Sequence, residues 1–329
     1  MRTLTLMGDD LRTHRIETNG IHLHVVESGP VDGPAVLCCH GFPESWYSWR
    51  HQLRVLGEAG YRVLAPDMRG YGRSAKPADP LAYTQLHHTG DLVGVLDALG
   101  IDQAVIVGHD WGGPAAWTAA QLRPDRFRAI AALGVPFLGG GDVAPTVGMR
   151  AAFGDTWFYF LHFQEPGRAE AELDADVETF LRGFFHSLSG DSPRHPFEAL
   201  GGGQRPSTVI EHLAQPTSAA PWMTDDDLAF YVGEFERTGF RGGLSWYRSA
   251  DATFAAMGAF DGVQVEQPAL FVYGELEPVL AMSPGALEAM PDAVPNLRPP
   301  VMLPGCGHWT QQERPDEVNA ALLDFLSSL

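Results

Sequence analysis

Apolar residues in this chain fall into short runs that switch between two spacings. Near the start, Ile16-Glu17-Thr18 and Ile21–Val26 flank Asn19-Gly20. That dipeptide favours a tight hairpin, because both residues tolerate a positive φ. Ala35–Cys39 is a continuous apolar run, the form taken by a strand buried on both faces. After it Trp46, Trp49, Leu53 and Leu56 recur at helical spacing, ending at Gly57 and Gly60. Arg62–Ala65 predicts the next strand, and Asp67–Ser74 a loop. Leu92, Val93, Leu96 and Leu99 mark a further amphipathic helix, stopped by Gly100. Ala104–Val107 then reads as a strand, Pro114–Trp117 as a helix, and Ile130–Leu133 as another strand. Strands alternating with helices predict a mainly parallel sheet covered on both faces, an α/β fold.

At Pro136 this rhythm breaks. Gly139-Gly140-Gly141 reads as a hinge or flexible connection, Phe153–Phe163 is densely aromatic, and Gly201-Gly202-Gly203 follows with several prolines. Thr224-Asp225-Asp226-Asp227 has the form of a helix start with acids in its first turn. No strand alternation is visible up to about Ala250. Order returns with strands at Pro268–Tyr273 and Val301–Leu303, and with a helix opened by Pro315 whose Val318, Leu322, Phe325, Leu326 and Leu329 share one face. The expected organisation is an α/β core over 1–136 and 251–329, interrupted by a helical lid over 137–250. An insertion at that point would roof a site at the sheet's edge. Internal repeats are absent.

Gly108-His109-Asp110-Trp111-Gly112-Gly113 sits between the strand Ala104–Val107 and the following helix. It is the strand–turn–helix frame of the nucleophile elbow of α/β-hydrolases, with a carboxylate where serine usually stands. The flanking glycines occupy positions where a larger side chain would collide with the turned backbone. An aspartate there suits attack on a saturated carbon, forming an ester. In a hydrolytic triad of this kind the chain order is nucleophile, acid, histidine. His308, in Gly305-Cys306-Gly307-His308-Trp309 just after the last strand, is placed to activate water against that ester. His87, His88 and His186 look like solvated or partly buried residues. For the acid, Glu277 and Glu275 both follow the strand Pro268–Tyr273, and Pro278 favours Glu277 by extending its backbone. The amides of Phe42, in His40-Gly41-Phe42-Pro43, and of Trp111 are the candidates for an oxyanion hole. The bland alternative for His40–Pro43 is a simple strand-end turn.

Composition narrows the picture. Acidic residues number 41 against 22 basic ones, a formal net charge of −19, which disfavours nucleic acid and anionic membrane surfaces as partners. Lys76 is the only lysine, a compositional bias without mechanistic weight. Three cysteines, Cys38, Cys39 and Cys306, give an odd count without metal-type spacing, pointing to a reducing compartment. Met1–Glu17 lacks the apolar block of a signal peptide, and no later run is long and apolar enough to span a bilayer. A cytoplasmic location is expected.

Several stretches together resemble epoxide hydrolases of the α/β-hydrolase superfamily, of the soluble bacterial and mammalian cytosolic type. They are His40–Arg50, Asp67–Ser74, Gly108–Gly113, Phe163-Gln164-Glu165-Pro166-Gly167, Phe240–Arg248 and Gly305–Trp309. The resemblance implies hydrolysis of an epoxide to a vicinal diol through an alkyl-enzyme ester on Asp110, with neither metal nor organic cofactor. The aromatic residues Phe153, Trp157, Phe158 and Phe160 hint at a small lipophilic epoxide as the substrate, although lid aromatics also serve simply to fold a helical cap, and a homodimer stays open. The resemblance also implies two lid tyrosines that hydrogen-bond the epoxide oxygen, matched by Tyr159 and Tyr247. Read without the resemblance, both would be aromatic core residues of a lid. One departure is Glu277, where the family usually has aspartate. Three alternatives stand against this reading. Haloalkane dehalogenases share the Asp elbow and its tryptophan, but commonly place Asn where Phe42 stands, while fluoroacetate dehalogenases have arginine in place of Trp111. A non-catalytic ligand receptor on the same fold draws support only from the Glu277 substitution.

Overall fold

The computed structural model describes residues 11–204 and 207–329; Met1–Asp10, the first part of the segment expected to lack a signal peptide, lies outside the described residues. An eight-stranded sheet carries the molecule. In chain order its strands are β1 (Arg12–Thr18), β2 (Ile21–Ser28), β3 (Ala35–Cys39), β4 (Arg62–Pro66), β5 (Ala104–His109) and β6 (Phe127–Leu133). After a long insertion that holds two short strands, β7 (Thr156–Phe158) and β8 (Gly201–Gln204), the sheet resumes with β9 (Ala269–Gly274) and β10 (Val301–Leu303). The spatial order is β1-β2-β4-β3-β5-β6-β9-β10. The β1–β2 and β2–β4 pairs are antiparallel and the rest parallel, as the alternation predicts.

The central strands read as unbroken apolar runs because helices cover both faces, so neither face meets water. Every residue of β3 and β5 is buried. The helix Gly112–Leu122 behind β5 is built largely from Gly and Ala, which lets its backbone approach the sheet closely. The run from Trp46 to Leu56 is helical throughout, but its first turn, Trp46–Trp49, is a 3-10 helix, and the α-helix begins at Arg50.

This topology makes a crevice. The chain leaves β3 toward β4 on one side, and later enters β5 on the other. The loops at the carboxyl ends of β3 and β5 therefore diverge, and a ligand site forms between them. Register aligns Cys39 with Gly108 and His109 with Leu133, so His40–Pro43, Asp110 and Gly134 emerge at one level.

Between β6 and β9 lie mostly helices. Thr224 caps the helix Asp225–Thr238 as its sequence suggests: its Oγ1 accepts from Asp227 N at 3.1 Å, while Asp227 Oδ2 accepts from Thr224 N at 2.9 Å. The expectation of no strands here is corrected by β7 and β8, which pair antiparallel. At three and four residues each, they are too short to display a readable alternation. The insertion is bound to the core at several points, among them Trp246 Nε1 donating to Arg69 O at 2.9 Å and Tyr47 Oη donating to Asp227 Oδ1 at 2.7 Å. His88 also corrects its sequence reading. It is fully buried and stacks on Trp246 with 3.6 Å between ring centroids, whereas His87 and His186 are partly exposed.

Candidate active site

Asp110 stands at the apex between β5 and the helix Gly112–Leu122 with φ of +49°, one of two non-glycine residues with positive φ among the described residues. The turn holds because its neighbours are glycines. A Cβ on Gly108 would lie 2.1 Å from Gly112 O, and one on Gly112 would lie 2.0 Å from Cys39 O. Aspartate tolerates the left-handed region better than most residues, since its short polar side chain can bond locally. Strain of this kind is kept where the surroundings over-determine it, and it aims the carboxylate out of the sheet.

Two groups converge on that carboxylate. Phe42 N donates to Asp110 Oδ1 at 2.7 Å. The Trp111 amide makes no hydrogen bond to it, so one of the two expected backbone donors is engaged. On the other side His308 Nε2 lies 3.4 Å from Asp110 Oδ2. His308 Nδ1 in turn meets both oxygens of Glu277, at 2.9 and 3.0 Å. The Glu277 side chain is fully buried, and its backbone is extended where it caps the helix Pro278–Met282. Glu275 turns elsewhere and accepts from Gly305 N at 2.8 Å. Burial opposes a charge on His308, but the carboxylates of Glu277 and Asp110 outweigh it and hold the imidazole well above its ordinary pKa.

Tyr159 and Tyr247 pack against each other, their ring centroids 5.8 Å apart and nearly perpendicular, and the Asp110 charge acts on both phenols. The β7–β8 ribbon sets the first, with Tyr159 N donating to Leu200 O at 2.9 Å just beyond the Phe158–Gly201 pair. The helix Arg241–Arg248 carries the second, and Tyr247 packs edge-on against Trp111 and Phe42. Gln164 Nε2 ties the two segments by donating to Phe160 O and Tyr247 O, each at 3.1 Å. Burial first, and then the Asp110 charge for Tyr159 or the neighbouring phenol for Tyr247, raise both pKa values well above the usual range. Both therefore stay protonated and can donate. The Phe42 ring is only an apolar contact, set among Phe163, Phe184, Phe240 and Tyr247.

Behind these groups lies a second imidazole–carboxylate pair that sequence reasoning did not single out. His109 Nδ1 meets Glu44 Oε2 at 2.8 Å, and its Nε2 donates to His308 O at 2.7 Å. Glu44 Oε2 also accepts from Gly41 N at 2.9 Å, and Oε1 from the side-chain amides of Gln311 and Gln312. Burial pushes the Glu44 carboxyl up, but His109 and the Gly41 amide prevail and bring it down to about 2. One buried acid thus joins the loop after β3, the elbow and the His308 loop. Glu313 braces the last of these, accepting from Gly307 N, Trp309 N and Gly190 N within 3.0 Å. Among the described residues no cluster of His, Cys, Asp and Glu could hold a metal ion, and no helix is long and apolar enough to cross a membrane.

Known proteins share this architecture. Residues 34–315 match the family model of the alpha/beta hydrolase fold. Epoxide hydrolase A of Mycobacterium tuberculosis is 44% identical over 316 residues, covering 95% of this chain and 97% of its own. A solved epoxide hydrolase from an endophytic Streptomyces superposes with a TM-score of 0.94 at 44% identity, covering 98% of this chain and 96% of its own. Epoxide Hydrolase A from Mycobacterium thermoresistibile gives 0.91 at 44% identity, covering 97% and 99%. The chain belongs to the α/β-hydrolase family and, within it, to the epoxide hydrolases.

Proposed function

We propose that this enzyme hydrolyses small lipophilic epoxides to vicinal diols in two steps, with Asp110 as nucleophile and Tyr159 and Tyr247 as donors to the ring oxygen. The observation that carries the reading is a carboxylate at the elbow, 3.4 Å from a histidine that Glu277 orients. A carboxylate attacks a strained carbon well, and the ester it leaves needs water and a base.

The resting site holds two carboxylates and one imidazolium, His308, kept charged by both. In the first step an Asp110 oxygen bonds a ring carbon and the carbon–oxygen bond of the ring breaks. Charge develops on the departing oxygen, where the two phenols donate, so their bonds are stronger in the transition state than in the ground state. That oxygen gains a proton and His308 loses one. Alkylation has meanwhile removed the Asp110 charge that helped hold the imidazole protonated. Neutral His308 takes a proton from water, hydroxide adds to the ester carbonyl, and Phe42 N stabilises the oxyanion. Collapse releases the diol and restores the carboxylate and the imidazolium. Atoms and charge balance with water as the only co-reactant.

Three buried free cysteines support a reducing, cytoplasmic setting. The test of function is turnover of an aryl epoxide against halide release from a chloroalkane. Diol without halide is expected; halide release with no diol would move the enzyme to the dehalogenases, which the apolar Phe42 side chain argues against. Tyr159→Phe and Tyr247→Phe each remove one donor, and each is expected to slow single-turnover alkylation by about 100-fold. Ester hydrolysis, once alkylation has occurred, should change little. Unchanged alkylation in both variants would remove the tyrosines from the ring-opening step.

A further inference from the structure

Glutamate is one methylene longer than aspartate, so a site that uses it must find room for the extra length. Here that room lies over Gly134, the first residue past β6. Gly134 N donates to Val272 O at 2.9 Å, and its φ of +76° turns the chain beside the loop that bears Glu277. A methyl group on Gly134 would lie 2.8 Å from Glu277 Oε2, 3.5 Å from its Cδ and 3.7 Å from His308 Nδ1. Carbon and oxygen do not pack at the first of these distances. The carboxylate would have to move.

Moving the far end of a side chain is usually cheap. This one has little freedom: it is fully buried, Oε1 accepts from Val279 N at 3.0 Å, and both oxygens face His308 Nδ1. A shift that hardly affects folding would therefore fall directly on the acid–histidine contact. We infer that Gly134 is a positioning residue whose missing side chain lets a glutamate, instead of an aspartate, orient His308. The inference rests on Glu277 being the acid partner of His308. It separates two reasons for a glycine here, the positive φ and the space for Oε2, and assigns catalytic weight to the second.

A double-mutant cycle of Gly134→Ala with Glu277→Asp tests it, read by single-turnover hydrolysis of the alkyl-enzyme across pH. In the Glu277 enzyme, Gly134→Ala is expected to slow hydrolysis by about 10- to 100-fold, the loss typical of a small misplacement. Hydrolysis needs neutral His308, so its rate rises with pH through the imidazole pKa. A displaced carboxylate holds the imidazolium less well, and that rise should move to lower pH. In the Glu277→Asp enzyme the shorter acid leaves the space over residue 134 empty. There, adding Gly134→Ala should change the rate by no more than about 3-fold. Equal losses in both backgrounds would overturn the inference and leave backbone strain as the reason for the glycine. Should Gly134→Ala not fold, Gly134→Asn replaces it in the cycle, because asparagine tolerates the left-handed region. Glu277→Gln supplies the separate control. Unchanged hydrolysis in that variant would remove the acid role of Glu277, and the inference with it, whatever Gly134→Ala does.

Discussion

Asp110→Ala should form no covalent adduct with an aryl epoxide, and its diol formation should fall by about 10,000-fold or more. Losses of that size follow removal of a nucleophile whose partners act only through it. The remaining site would still offer two phenols to the ring oxygen and a histidine to activate water, but the covalent path would be gone. Alanine at φ near +49° is strained by about 1–2 kcal/mol. Phe42 N would also lose its acceptor. The melting temperature should therefore drop, while the sheet, set by strands on both sides of the elbow, should persist. A folded Asp110→Ala enzyme that keeps substantial turnover would mean that water attacks the epoxide directly.

The second large effect belongs to His308. His308→Gln removes the proposed base but leaves the proposed nucleophile, Asp110, and the proposed ring-opening donors, Tyr159 and Tyr247, in place. Adduct should form and persist, and ester hydrolysis should slow by about 100- to 10,000-fold, the range for loss of a general base. Intact-mass measurement should find the protein heavier by one substrate. Alkylation itself should slow less, to the extent that the imidazolium supplies the proton taken up by the ring oxygen. The wild-type enzyme should show a related pH effect. Because Glu277 still faces His308 after Asp110 is esterified, lowering the pH keeps the imidazole protonated in the alkyl-enzyme. The ester should then accumulate at acid pH and clear as pH rises. Accumulation at high pH instead would reverse the assigned protonation states.

How much of this the chain discloses by itself varies with the distance over which each feature is decided. Buried strands and the helix behind the elbow are written locally, in runs such as Ala35–Cys39 and Ala104–Val107, so the sheet was legible. The frame around Asp110 was legible in part for the same reason, since Gly108 is required by Gly112 O within the turn, whereas Gly112 is required by Cys39 O on the neighbouring strand. β7 and β8 escaped because three or four residues give no period to read, yet they fix the backbone of Tyr159. The tyrosines themselves became visible only through resemblance to a family. Tyr247 is 3% exposed among aromatic rings, and burial alone describes a core residue.

Glu44, His109 and Gly134 lay beyond sequence reasoning for another reason. His109 stands beside the nucleophile in the chain, but its partners, Glu44 and the His308 carbonyl, come from loops that meet only once β3 lies next to β5. Gly134 likewise gains meaning from a carboxylate far along the chain. Between Glu275 and Glu277, Pro278 left a preference, and side-chain direction gives it a basis. Glu277 reaches His308, while Glu275 is spent on the Gly305 amide.

The most direct measurement is the fate of oxygen in one turnover, with enzyme in excess over an aryl epoxide in heavy-oxygen water. Attack by Asp110 predicts that the first diol carries no label, because its new oxygen comes from the carboxylate, and that the label is found afterwards in the peptide containing Asp110. Label in the first diol, with none in that peptide, would contradict nucleophilic attack by Asp110.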